Sequence, residues 1–171
     1  MKKNTKRKEN LHEIAIYLLF GLLTTAVSML TYFGILWVGE YLLMLSPEEA
    51  EFNIIRVVAE VMQWVLAVLF AFFTNRKWVF KNAGLDIPVS RQLLRFSASR
   101  LATLGLDALI TFGTVWILQA LDYHDISLSF IGFDSILLSA DLIAKLLASI
   151  VVVITNYILS KLFVFKSQKD T

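Results

Sequence analysis

Residues 14–38 run for 25 positions without a charged side chain. A helix needs about 20 mostly apolar residues to cross a bilayer, so this stretch predicts a membrane span. Three more stretches qualify, at about 54–73, 101–121 and 136–160. The first follows a basic start, yet its apolar run is too long for a leader and no small-residue cleavage pattern follows it, so it reads as a retained anchor. Composition agrees: 57% of the residues are hydrophobic and 18% charged, against about 25% charged in a soluble domain. The mean hydropathy is +0.68. With no cysteine and only His12 and His124, a disulfide scaffold and a cysteine- or histidine-rich metal site are excluded. No metal and no cofactor are expected.

The charges divide by loop. Lys2, Lys3, Lys6, Arg7 and Lys8 precede the first span. Arg76, Lys77, Lys81, Arg91, Arg95 and Arg100 lie between the second and third, and Lys161, Lys166 and Lys169 follow the fourth. The other two loops carry Glu40, Glu48, Glu49 and Glu51, then Asp122, Asp125 and Asp134, with no Lys or Arg. The positive-inside rule therefore places both termini and the central loop in the cytoplasm. Trp37, Trp78 and Trp116 fall near span ends, where aromatic anchors are expected. The basic ends are read as topology signals and lipid contacts, and no segment is long enough for a soluble nucleic-acid reader.

The chain also repeats itself. An offset of 85 aligns Asn75-Arg76-Lys77-Trp78-Val79-Phe80 with Ser160-Lys161-Leu162-Phe163-Val164-Phe165. An offset of 79 aligns Phe33-Gly34-Ile35-Leu36-Trp37 with Phe112-Gly113-Thr114-Val115-Trp116. Each unit holds two spans, so the two units share one orientation, as in repeats related by an axis along the membrane normal. The fold class is an all-α membrane protein: four transmembrane helices in two parallel two-helix repeats. A basic N-terminus (1–13) precedes the membrane domain (14–165), and a short tail (166–171) follows it.

The offset of 85 also relates Arg56 to Asp141 and Glu60 to Lys145. Members four residues apart share a helix face, and the signs are reversed between the repeats. If the second and fourth helices pack side by side, Arg56 faces Asp141 and Glu60 faces Lys145. Ala59, Gln63, Ala67 and Ala71 on one helix, and Ala140, Ala144 and Ala148 on the other, would let the backbones approach. A charge at a helix centre costs about 2.5–3.5 kcal/mol even on lenient scales, so Glu60 and Lys145 need partners, as does Asp107 in the third span. Asp107 lies near Arg100, which stands two turns earlier on roughly the same helix face. Such pairs either fix helix register or line a polar path. Arg56 and Asp141 lie nearer the surface and are read as structural ion pairs. At the basic ends, Asn75, Arg76, Lys77, Asn156 and Lys161 are candidates for binding phosphate or anionic lipid. No phosphate loop or nucleophile–base constellation is visible, and the chain is read as non-enzymatic.

Together, Phe20-Gly21, Asn75-Arg76-Lys77-Trp78-Val79-Phe80, Arg95-Phe96, and Asn156-Tyr157 with Lys161-Leu162-Phe163-Val164-Phe165 resemble the GtrA-like family of four-span membrane proteins. The resemblance covers about residues 14–166, with Phe163 where the family usually has Trp. It implies a place in bacterial cell-surface polysaccharide synthesis, in the cytoplasmic membrane. Members would move a polyprenyl-phosphate-linked sugar to the outer leaflet, where a separate glycosyltransferase adds it to teichoic acid or a similar polymer. On that reading the phosphate docks at Arg76, Lys77 and Lys161, and the sugar crosses past Glu60, Gln63, Asp107 and Lys145. Four spans are few for such a path, which points to a homodimer. The alternative is a non-transporting anchor or accessory subunit of a polyprenyl-phosphate glycosyltransferase. A proton-coupled exporter of cationic drugs fits less well, because the first span lacks an acid and Glu60 has a candidate lysine partner.

Overall fold

The computed structural model describes residues 2–46, 48, 50–81, 87–124, 126–128 and 136–165. Glu49, Asp125, Asp134 and the tail 166–171, with Lys166 and Lys169, lie outside the described residues, as do the side chains of residues 2–9, 126–128 and 136–138.

Helix α1 (Lys2–Trp37) continues into a π-helical turn, Val38–Leu42. Helix α2 (Ala50–Thr74) ends in the same way, at Asn75–Val79. Helix α3 spans Val89–Ala120. Strands β1 (Ile126–Leu128) and β2 (Ile136–Leu138) then pair antiparallel, with Ile126 opposite Leu138. Helix α4 (Ala140–Leu159) is replaced at its end by a third π-turn, Ser160–Val164. Among the described residues, four helices are long and apolar enough to cross a membrane.

The spans fall where the apolar runs place them, with two corrections. A helix was expected from residue 136, but Ile136–Leu138 is strand and α4 begins at Ala140. Ser139 explains the boundary: extended, with ψ 159°, it accepts a hydrogen bond from the Leu142 N–H at 3.2 Å, which caps the helix. The second correction concerns α3, which starts at Val89 rather than near residue 101. Pro88 (φ −54°, ψ 138°) stands immediately before it, and proline suits a helix start because it has no N–H to leave unpaired. Arg91, Arg95 and Arg100 are therefore helix residues, not loop residues. At the other end of α3, Asp122 is left-handed (φ 55°). Its N–H reaches the Gln119 carbonyl and the Tyr123 N–H reaches the Leu118 carbonyl, a Schellman closure that uses aspartate where glycine is usual.

The chain divides into two compact units, one built on residues up to Ile87 and one on Pro88–Lys166. In the first, α1 and α2 pack antiparallel: Gly39 meets Phe52 and Ile55, Ser28 meets Gln63, and Phe20 stacks on Trp78. Gly39 sits at the closest approach, where an added Cβ would lie 2.7 Å from the Ile55 side chain. Ala59 and Ala71 are buried on the inner stripe of α2, as small residues at a helix–helix seam should be. In the second unit, α3 and α4 pack antiparallel through Asp107 with Lys145, Thr103 with Asn156, and Phe96 with Phe165. Ala144 and Ala148 are fully buried there.

Candidate functional site

Polar side chains within an apolar helix pair must find partners, because lipid supplies none. Many satisfy themselves locally. The hydroxyls of Thr24, Thr31, Thr74 and Ser149 each donate to the carbonyl four residues earlier, at 2.7–2.8 Å. Among the described residues, other polar groups gather in two clusters deeper in the helices and at two basic ends.

In the first unit, the Ser28 hydroxyl donates to Gln63 Oε1 at 2.8 Å, and Gln63 Nε2 donates to Glu60 Oε2. One amide thus carries a hydrogen-bond chain from α1 to the carboxylate on α2. In the second unit, Lys145 Nζ donates to Asp107 Oδ2 at 2.6 Å, a short charge-assisted bond. Within this chain the two side chains are 60% and 27% exposed, so the pair is satisfied yet reachable. Nearer the basic end, the Thr103 hydroxyl lies 3.0 Å from both Asn156 Oδ1 and the Arg100 carbonyl. Having one proton, it donates to one of them at a time.

This arrangement corrects the expected ion pairs. Lys145 takes Asp107, from its own repeat, as its salt-bridge partner, and Glu60 takes Gln63. The Arg100 guanidinium lies over the Phe96 ring, 4.6 Å from the centroid. Arg56 bonds Asn53 Oδ1 at 3.1 Å and lies over the Phe52 ring of its own helix. Asp141 is exposed in the first turn of α4, where a carboxylate complements the helix dipole. The physical reason is proximity: sequential antiparallel helices place residues of one hairpin side by side, so Lys145 meets Asp107 directly and Glu60 is met by Gln63.

The candidate residues at the basic ends also separate by unit. Asn75 is buried, Arg76 half-buried and Lys77 exposed, with Lys77 Nζ 4.7 Å from the Trp78 centroid. In the second unit, Lys161 is half-buried and donates to the Tyr157 hydroxyl at 3.0 Å, while Asn156 is buried against Thr103. Arg95 Nη1 reaches the Phe163 carbonyl at 3.4 Å and so ties α3 to the third π-turn. The offset of 85 found in the sequence maps Asn75–Val79 onto Ser160–Val164, π-turn onto π-turn.

Sequence reasoning missed Ser28 and Thr103. A signal was present, since the offset of 79 maps Ser28 onto Asp107 and Thr24 onto Thr103. A hydroxyl alone in an apolar helix usually bonds its own backbone, which is why neither stood out.

Comparisons with known proteins agree with this architecture. A family model described as the GtrA/DPMS transmembrane domain matches residues 16–165. The cell wall teichoic acid glycosylation protein GtcA of Listeria monocytogenes is 26% identical over 162 residues, covering 94% of this chain and 90% of that protein. Its Listeria innocua counterpart is 27% identical with the same coverage. An uncharacterized membrane protein of Bacillus subtilis, YwcD, is 27% identical over 156 residues, covering 91% of this chain and 98% of that protein. No solved structure gives a significant match. Four apolar helices, the paired closing motifs and a match over nearly the whole membrane domain lead to one assignment: the chain is a multi-pass bacterial membrane protein of the GtrA/DPMS transmembrane-domain family.

Proposed function

We propose that the chain translocates a polyprenyl-phosphate-linked sugar across the cytoplasmic membrane, for glycosylation of teichoic acid or a related cell-surface polymer. The relatives named for teichoic acid glycosylation support the pathway. The observation that carries the transport step is the Asp107–Lys145 pair. An empty path needs its charges matched to each other, and a passing headgroup needs acceptors and donors that it can borrow. A carboxylate beside an ammonium meets both needs: sugar hydroxyls can donate to one and accept from the other. The candidate groups for the phosphate are Arg76 and Lys77 with Asn75 in the first unit and Lys161 with Asn156 in the second, and the lipid tail stays in hydrocarbon. Glu60 and Gln63 provide polar contacts at the corresponding level of the first unit. The chain supplies no covalent chemistry; a glycosyltransferase of the same pathway consumes the flipped lipid, and the working form is a homodimer with its termini in the cytoplasm.

Reconstitution tests this. Proteoliposomes carrying a fluorescent polyprenyl-phosphate hexose are expected to expose it to an outer quencher faster than protein-free vesicles. Lys145→Ala and Asp107→Ala are expected to slow this at least tenfold at unchanged protein content. Flipping by both variants at the wild-type rate would overturn the path. A wild-type chain that binds a glycosyltransferase and flips nothing would favour an accessory role instead.

A further inference from the structure

The second and third π-turns share an anomaly. Each opens on a polar residue that the fold buries, 3% exposed at Asn75 and 0% at Ser160. In each, a buried side-chain oxygen has no hydrogen-bond partner: Asn75 Oδ1 and Ser160 Oγ. The two positions are related by the repeat offset, 75 + 85 = 160. Each is followed at once by a cation, Arg76 or Lys161. Thr111 Oγ1 is also unpartnered, but its sequence neighbours are Ile110 and Phe112 and no cation adjoins it.

An unmet buried polar atom is unfavourable, and native structures keep few of them. Ser160 could have bonded a backbone carbonyl four residues earlier, as Thr24, Thr31, Thr74 and Ser149 do. Its hydroxyl is left open instead, as is the amide oxygen at the matching place in the other repeat. π-turns inside helices often mark functional sites, and a cation at a helix end near the headgroup layer attracts phosphate. Packing gives no reason for the same unmet group to stand twice, in register, beside a positive charge. A ligand does.

We propose that each unit carries its own site for a phosphate-bearing headgroup, at Asn75–Arg76–Lys77 in the first and at Ser160–Lys161 in the second, so that one chain holds two. This rests on the reading above for the lipid class and extends it by a second site and a division of labour. The Ser160 hydroxyl has a proton to donate, and a phosphate oxygen accepts it while Lys161 supplies the charge, so this site takes the bare phosphate. Asn75 Oδ1 needs a donor, which a sugar hydroxyl next to the phosphate provides while Arg76 and Lys77 hold the phosphate, so this site takes the glycosylated headgroup. A carrier that brings sugar-lipid out and returns the spent lipid uses both.

The test is lipid binding by the full chain in nanodiscs, followed by native mass spectrometry and titration, with polyprenyl phosphate, its hexose derivative, and inorganic phosphate as competitor. Two lipids per chain are expected. Ser160→Ala should weaken the bare lipid about tenfold and spare the hexose lipid, and Asn75→Leu should do the reverse; tenfold is about 1.4 kcal/mol. Both variants should melt no lower than wild type, because an apolar replacement removes the unmet group. Displacement by millimolar inorganic phosphate would show that the phosphate alone suffices, and no displacement would show that the ligand must be lipid-borne; the two-site count stands in either case. One lipid per chain, equal loss of both lipids in either variant, or a lower melting temperature for Ser160→Ala with binding intact would overturn the proposal. A wild-type chain that binds two lipids but flips neither would sink the transport reading and leave this one standing.

Discussion

The two deep clusters solve the same problem with different chemistry. In the first unit, Ser28, Gln63 and Glu60 form a chain in which an amide stands between hydroxyl and carboxylate. In the second, Asp107 and Lys145 meet directly. The offsets of 79 and 85 map Ser28 onto Asp107 and Glu60 onto Lys145, so the two clusters occupy corresponding positions of the two hairpins. The difference teaches how tolerance is distributed. Losing one member of the amide chain leaves a neutral group unmet, whereas losing one member of the ion pair leaves a naked charge among apolar helices, and the second is the more severe.

That asymmetry can be broken in a graded way. The largest effect is expected from Lys145→Met, which strands Asp107; a loss of about 2.5–3.5 kcal/mol is the scale for a lone charge in a membrane helix. Unfolding in mixed micelles would measure it, and adding Asp107→Asn should restore most of the loss. Gly39→Val comes next, since a side chain there meets Ile55 and Phe52; overpacking of this kind costs about 1–3 kcal/mol. Gln63→Leu, in the neutral chain, should cost only about 1 kcal/mol by the same assay, in line with interhelical hydrogen bonds in membranes. If it matched Lys145→Met, the contrast between the units would fail. Asp141→Asn should be smallest, about 0.3–1 kcal/mol for a carboxylate in the first turn of a helix.

The helices were legible in the sequence because a bilayer imposes one length and one composition on all of them. The offset of 85 read in the sequence also relates two of the π-turns, which open at Asn75 and Ser160. Partner choice was not legible. Equivalent positions in two repeats need not be neighbours, and reversed signs at Glu60 and Lys145 suggested a pair whose observed members are Glu60 with Gln63 and Lys145 with Asp107. The start of α4 was obscured because Ile136, Leu137 and Leu138 are as apolar as the helix that follows; the cap at Ser139 was the available clue. The π-turns have no compositional signature, so the unmet atoms of Asn75 and Ser160 emerge only in three dimensions.

The central claim is that the deep charges Asp107 and Lys145 are matched to each other inside one hairpin. Charge exchange between Asp107 and Lys145 tests it most directly. Asp107→Lys alone and Lys145→Asp alone place like charges side by side and should each lower stability and flipping sharply. The double exchange should recover both, because it restores one carboxylate against one ammonium. A double variant as damaged as the two single effects combined would contradict the account.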